Sequence, residues 1–272
     1  MFMDRAFIVG IENYVFKTLK GCINDANSVA NFLVDHLAFR SADIRLLTDS
    51  RATRDAILLH LKWLTSGLRA NDRIVFYYSG HGAQIASRND DGEVDSMDEA
   101  ICPFDSINEY GGIDIANVIL DNDFEDLFKN IPQGVKFCWI SDSCSSGSLH
   151  DVTGAMTKGI DLPADLKWRC RVAKDLDLDL KTYGYGLTES SSNFVLLAAC
   201  KEAEFASMIQ TDGKDYGAFT YFLLQELTRK GGLSASLADV MSAVTTDLRS
   251  KFYSQTPQLA GSQPLFNLPF LG

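Results

Sequence analysis

The stretch that most constrains the fold of this chain is residues 135–140, VKFCWI, an apolar run that stops abruptly at a cysteine set among small residues. Lys136 is its only polar member, and the rest are aliphatic, aromatic or sulfur-bearing, so the run reads as a strand covered on both faces in the middle of a parallel sheet. Asp142, Ser143, Cys144, Ser145, Ser146 and Gly147 follow. Such small residues cannot extend a core, but they let backbone N–H groups approach a ligand. Open α/β sheets gather their chemistry at the carboxyl ends of the strands, which puts Cys144 where a reacting group is expected. A second apolar run, residues 73–78 (RIVFYY), ends in the same way at Ser79, Gly80, His81 and Gly82. A cysteine nucleophile needs a base within hydrogen-bond reach, and neighbouring parallel strands present their carboxyl ends side by side. His81 and Cys144 are therefore the expected catalytic pair.

The chain around these runs alternates strand and helix patterns. Residues 5–11 (RAFIVGI) read as a strand, followed by a helix with Ala26, Val29, Ala30, Leu33, Val34 and Leu37 at helical spacing, capped by Asn24 or Asp25. A strand over 43–47 precedes a helix capped by Thr53 that carries Ile57, Leu58, Leu61 and Leu64. The order predicts right-handed crossovers and a parallel sheet. Further on, a helix with Phe124, Leu127 and Phe128 inward ends at Pro132-Gln133-Gly134. A buried strand is expected at 193–200, helices from Gly217 and over 237–252, and closing strands at 255–259 and 265–270.

With 272 residues and 46% hydrophobic content, the chain suits one large-cored domain better than two small ones. No apolar run is long enough to span a membrane, and the N-terminus enters a strand pattern at once, leaving no room for a signal peptide. Six dispersed cysteines without a CxxC pair argue against a secreted disulfide framework and point to a reducing cytoplasm. A net charge of −11 argues against general binding to nucleic acid or anionic membranes, and suits basic substrates or divalent cations. No organic-cofactor signature is present, since neither G-x-G-x-x-G nor a phosphate-binding G-x-x-x-x-G-K-[ST] loop occurs.

Three motifs then carry a family resemblance: Tyr78-Ser79-Gly80-His81-Gly82, Asp98-Glu99-Ala100-Ile101-Cys102-Pro103, and Asp142-Ser143-Cys144-Ser145-Ser146-Gly147-Ser148. In order and spacing they resemble the catalytic region of metacaspases, nearest to the prokaryotic orthocaspases. His81 precedes Cys144 by roughly 60 residues, close to the separation that marks caspases. The resemblance runs from near Arg5 to Phe266, with one departure: Ser145 stands where many metacaspases have His. It implies a caspase-like three-layer α/β fold, a central mostly parallel sheet with helices on both faces. It also implies one catalytic domain over 1–272, with a large-subunit-like part (1–151), a linker (152–193) and a small-subunit-like part (194–272). The Gly-Ala-Phe-Thr and Gln-Thr-Pro-Gln stretches resemble the small-subunit part, so the chain is expected to be complete.

By the same resemblance the protein is a cysteine endopeptidase acting on protein or peptide substrates. Cys144 would be the nucleophile, His81 its base or the acid toward the leaving amine, and the N–H groups of Gly82 and Cys144 the oxyanion donors. Cys22, Asp25, Ser79 and Asp142 occupy pocket positions. An acidic pocket accepts Arg or Lys and rejects Asp, and without the resemblance Asp25 reads equally as a helix cap and Asp142 as a carboxylate satisfying loop N–H groups. Residues 87–99 (SRNDDGEVDSMDE) are too acidic to pack and read as a solvated loop or a hard-cation site; they do not fit an EF-hand. The positions matching the calcium ligands of metacaspases are Asp98, Asp121 and Asp151, with Asn122 where a further aspartate is common. The patternless, partly basic linker is the expected site of self-processing, at Lys158, Lys167, Arg169, Arg171 or Lys174. His36 and His60 read as surface or packing residues, and His150 competes with His81 as base. A monomer is expected, and the alternative function is an inactive scaffold that binds partners or basic peptides.

Overall fold

The computed structural model describes residues 2–86, 97–110, 112–144, 194–201 and 204–272. The expected linker, Asp151, His150 and most of the acidic stretch lie outside the described residues, as do the side chains of Asp98 and Asn122. In chain order the elements are β1 (Asp4–Gly10), α1 (Cys22–Leu37), β2 (Ile44–Thr48), α2 (Arg54–Thr65), β3 (Arg73–Ser79), β4 (Gly82–Ala86), β5 (Met97–Ile101) and β6 (Ile119–Leu120). They continue with α3 (Asp121–Phe128), β7 (Lys136–Asp142), β8 (Phe194–Ala198), β9 (Met208–Thr211), β10 (Lys214–Gly217), α4 (Ala218–Thr228), α5 (Leu237–Ser250), β11 (Gln258–Gly261) and α6 (Gln263–Phe266). Among these described residues no helix is long and apolar enough to cross a membrane.

Six strands form one sheet in the order β11-β8-β7-β3-β1-β2. All neighbours pair in parallel except β11, which runs antiparallel to β8 at the edge. The unalternating hydrophobicity of the strands has a direct structural cause: both faces are buried. Phe7, Val9, Ile74, Phe76, Tyr78, Phe137 and Trp139 face a core closed by α2 and α3, through Ile57, Leu61, Leu64, Phe124 and Phe128. Their sequence neighbours Ala6, Ile8, Val75, Tyr77, Cys138 and Ile140 face a second core closed by α1, α4 and α5. Each fully buried aliphatic or aromatic side chain contributes about 1.5–3 kcal/mol from removal of apolar surface.

The expected helices at α2 and α5 form, the first with its expected cap, Thr53, which accepts the Ala56 N–H at 3.3 Å. The second is capped by Ser236, which the sequence pattern did not single out and which accepts the Asp239 N–H at 3.1 Å. Three local expectations need correction. Neither Asn24 nor Asp25 caps α1, which begins at Cys22 after Gly21 in the left-handed region with φ 94°, without a side-chain cap. A side chain at Gly21 would meet the Tyr216 backbone at 2.8 Å, so the close approach of β10 sets the start of this helix. The stretch 265–270 is not a strand: Pro264 opens the short helix α6 instead. Finally, β4, β5 and β6 form a small antiparallel sheet directly after His81, and β9 and β10 a hairpin before α4. Neither stood out in the sequence, because these strands are short and carry little apolar alternation.

Candidate active site

The register of β3 and β7 brings the expected pair together. Ser79 is paired with Asp142 at the ends of these strands, and His81 and Cys144 each stand two positions beyond that pair. Neighbouring strands lie about 4.8 Å apart, so the two residues leave the sheet as neighbours at one edge. Gly82 tightens the contact, since a Cβ there would fall 2.1 Å from the carbonyl oxygen of Cys144. Only glycine allows this approach. Both His81 and Cys144 are buried.

Two tyrosines hold His81. Its N–H donates to Tyr14 Oη at 3.0 Å, and its carbonyl accepts from Tyr78 Oη at 2.6 Å and from the Cys102 N–H at 3.0 Å. The Tyr14 ring also lies against the imidazole, with centroids 4.7 Å apart. Tyr14 donates to the Cys102 carbonyl at 2.8 Å, and its own ionisation is pushed well up, by burial first and then by the neighbouring thiol of Cys102. The tyrosine therefore stays neutral and remains able to donate. Sequence reasoning missed Tyr14; its signal was a tyrosine placed in the loop just after β1, which no periodicity distinguishes.

Cys144 Sγ accepts the N–H of Ala206 at 2.8 Å and lies 3.9 Å from the carbonyl of the same residue. The segment following β8 thus wraps the thiol, a contact between residues far apart in sequence.

Beside His81 and Cys144, three of the four expected pocket residues, Asp25, Ser79 and Asp142, gather around Tyr77. Asp25 comes from α1 because β1 ends at Gly10, where a Cβ would meet Cys22 O at 2.6 Å and the Ala26 side chain at 2.8 Å, so the helix sits directly on the strand end. Both oxygens of Asp25 accept the Gly217 N–H at 2.9 Å, and Oδ2 accepts from Ser79 Oγ at 3.2 Å. Asp142 Oδ2 accepts from Thr220 Oγ1 at 2.6 Å and from the Thr220 N–H at 3.1 Å. Tyr77 Oη is 2.8 Å from the same threonine hydroxyl. Burial pushes the Tyr77 phenol well above its ordinary range, and the charges of Asp25 and then Asp142 push it further. Two buried carboxylates therefore act on one hydroxyl at the rim of the sheet. In the sequence Gly217 and Thr220 stood out as a helix start and as part of a resembling stretch; the structure makes them donors to the two carboxylates. Cys22 is fully buried at the first turn of α1, in the core with Ile11 and Tyr14.

Other expected residues divide plainly. His60 stacks on Phe7 at 5.3 Å and His36 on Phe32 at 5.5 Å, as packing residues. Of the expected calcium ligands, Asp121 is buried at the first residue of α3, and Asp98 stands on β5. The antiparallel β5–β6 register pairs Ala100 with Leu120, which puts Asp98 and the start of α3 at the same end of that small sheet. Among the described residues no group of three or more His, Cys, Asp or Glu side chains is placed to hold a metal.

A family model for the metacaspase, peptidase C14 domain matches residues 4–153. Metacaspase-1 of Cryptococcus neoformans is 28% identical across 96% of this chain, which spans 63% of that relative's length. Metacaspase-1 of Lodderomyces elongisporus is 30% identical across 98% of this chain and 67% of its own length. Among solved structures, a Geobacter sulfurreducens protein superposes with a TM-score of 0.65 at 22% identity, covering 98% of this chain and 97% of that one. Caspase-1 of Spodoptera frugiperda superposes with a TM-score of 0.57 at 12% identity, covering 96% and 86%. Both share the fold.

Proposed function

The chain belongs to the metacaspase peptidase C14 family, and from that premise we propose that it is a cysteine endopeptidase cleaving peptide bonds after Arg or Lys. The observation that carries the specificity is the pair of buried carboxylates, Asp25 and Asp142, beside the strand ends that bear His81 and Cys144. A guanidinium or ammonium group entering there would meet the two carboxylates with opposite charge and charge-assisted hydrogen bonds, and Arg could engage a carboxylate bidentately. An aspartate side chain would meet two like charges.

In the reaction, Cys144 attacks the carbonyl carbon of the scissile bond as thiolate, forming a C–S bond and a tetrahedral oxyanion. The N–H groups of Gly82 and Cys144 are the proposed donors to that oxygen, and the tight packing of Gly82 on the Cys144 backbone supports this role. His81 gives a proton to the departing amine as the C–N bond breaks, leaving an acyl-enzyme. It then draws a proton from water, which attacks the acyl carbon and releases Cys144. Tyr14 and Tyr78 fix the backbone of His81 through this cycle.

Calcium stimulation is part of the proposal. The donor set of Asp98, Asp121 and Asp151 with the amide of Asn122 has the hard-oxygen chemistry that Ca²⁺ prefers, and a bound ion would offset the charge of those carboxylates. Self-processing in 152–193 is likewise proposed, from the basic residues of that segment.

The test is hydrolysis of fluorogenic peptides ending in Arg, Lys or Asp, with and without millimolar calcium. Arg and Lys peptides should be cleaved by the wild-type chain and not by Cys144→Ala, and the Asp peptide by neither. No turnover of either basic peptide under both conditions would overturn the reading in favour of a partner-binding scaffold.

A further inference from the structure

Cys200 takes no part in that cycle, yet it is placed against the nucleophile. Across the β7–β8 ladder Ser141 faces Ala198, and the Ala199 N–H donates to Ser141 O at 2.9 Å. Two positions further along each strand stand Ser143 and Cys200, and Cys200 Sγ lies 3.6 Å from Ser143 O. Cys144 is the next residue. The turn that leaves β8 folds over both sulfurs: Cys200 Sγ is 3.4 Å from Glu204 O, and Cys144 Sγ accepts the Ala206 N–H at 2.8 Å. Both sulfurs are thus held by the same short turn, between Glu204 and Ala206. Ser143 and Cys200 are facing positions about 4.8 Å apart and Cys144 stands one residue, about 3.3 Å, further on, which leaves the two cysteines roughly 6 Å apart, inside the range of roughly 4.4–6.8 Å between Cα atoms that a disulfide spans.

We propose that Cys200 is a resolving cysteine for Cys144, so that oxidation by a peroxide stores the nucleophile as a reversible Cys144–Cys200 disulfide. The Cys144 thiolate attacks one oxygen of the peroxide, the O–O bond breaks, and Cys144 becomes a sulfenic acid with release of hydroxide or alkoxide. The Cys200 sulfur then attacks the Cys144 sulfur, the S–O bond breaks, and water leaves with the Cys200 proton. Two thiols lose two electrons and two protons in total, and the peroxide accepts them. The roles are not interchangeable. The Cys200 thiol is pushed well above its ordinary range, by its neighbour Cys144 first and then by burial, whereas Cys144 Sγ already accepts the N–H of Ala206, so the first oxidation falls on Cys144. Closure also diverts the sulfenic acid from irreversible sulfinic acid. A thiol reductant reopens the bond.

Loss of activity on closure rests on the peptidase reading, whereas the bond itself does not, so each is read separately. The purified full chain is treated with hydrogen peroxide, blocked with an alkylating agent and mapped by mass spectrometry without reduction. The wild type should yield a Cys144 peptide linked to the Cys200 peptide, and dithiothreitol should restore free Cys144 and any peptidase activity. Cys200→Ala and Cys200→Ser, each checked for an unchanged melting profile, should lose the linked peptide and accumulate Cys144 sulfinic acid that dithiothreitol does not reverse. Cys138→Ala should leave the link intact. Should Cys144 pair with a different cysteine, or reach sulfinic acid equally fast with and without Cys200, the proposal fails whether or not the chain cleaves peptides.

Discussion

Tyr14 has no catalytic group to offer, yet His81 depends on it. The Tyr14→Phe variant removes the hydroxyl that accepts the His81 N–H and donates to the Cys102 carbonyl, leaving buried polar groups short of a partner. The expected loss is about 1–3 kcal/mol of stability, softened because Tyr78 also reaches Cys102 O at 2.9 Å. Displacement of the imidazole should lower kcat by up to about 10²-fold with KM nearly unchanged. A KM effect with intact kcat would show that Tyr14 acts on substrate binding instead. Thr220→Val tests the other half of the site, since its hydroxyl links Asp142 Oδ2 and Tyr77 Oη at 2.6 and 2.8 Å. Peptidase assays should show a raised KM for Arg peptides, and thermal melts a loss of about 1–3 kcal/mol. Cys144 and His81 were legible because each ends an apolar run at small residues. Tyr14, Thr220 and Gly217 were not, because a lone tyrosine or a helix-terminal threonine carries no pattern until its partner from another part of the chain is known.

Elements were legible wherever one local signal decided them. The buried strands β3 and β7 and the Thr53-capped α2 follow from composition and spacing within a dozen residues. Replacing Leu61, buried on α2, by Ala should cost about 2–5 kcal/mol in chemical denaturation, because the surrounding core can relax only partly into the space. Gly82→Ala makes a sharper claim: the added methyl would meet the Cys144 carbonyl at 2.1 Å, so β3 and β7 must move apart at their ends. Activity should fall far more than global stability, and a fully active Gly82→Ala enzyme would refute the close packing of these strand ends. Where tertiary contact overrode local preference, the sequence misled. Asp25 sits in the first turn of α1 as a cap would, but its carboxylate binds the Gly217 N–H of β10 instead. The strand pattern of 265–270 yields to a proline-opened turn.

At the scale of the whole molecule, the acidic balance appears as opposed titrations on one surface. Burial raises the Glu12 carboxyl above its ordinary 4.5, helped by the charges of Asp49 and Asp215. Its native form holds the proton more tightly, so its contribution favours the fold at low pH and fades as pH rises from 4.5 through the raised value. Burial also pushes Asp49 up, but hydrogen bonds from Asn13 and the Glu12 N–H outweigh it and hold Asp49 below 3.8. That contribution is present above 3.8 and is lost as pH falls through the lowered value. In thermal melts between about pH 3 and pH 8, Asp49→Asn should lower Tm at neutral pH and lose its effect in acid. Glu12→Gln should do the reverse, raising Tm at neutral pH with no gain in acid. Intact-mass measurement of the purified chain with calcium should give fragments ending at a basic residue within 152–193, absent from Cys144→Ala. The sequence by itself determined the parallel α/β architecture and put one imidazole and one thiol at the ends of two buried strands, because burial on both faces and abrupt strand ends are written in neighbouring residues. Only the tertiary structure decided which groups surround those strand ends: the tyrosines behind His81, the donors that fix Asp25 and Asp142, and Cys200 against the end of β7. Those contacts join residues tens to hundreds of positions apart, where strand register and helix docking, not local preference, choose the partner.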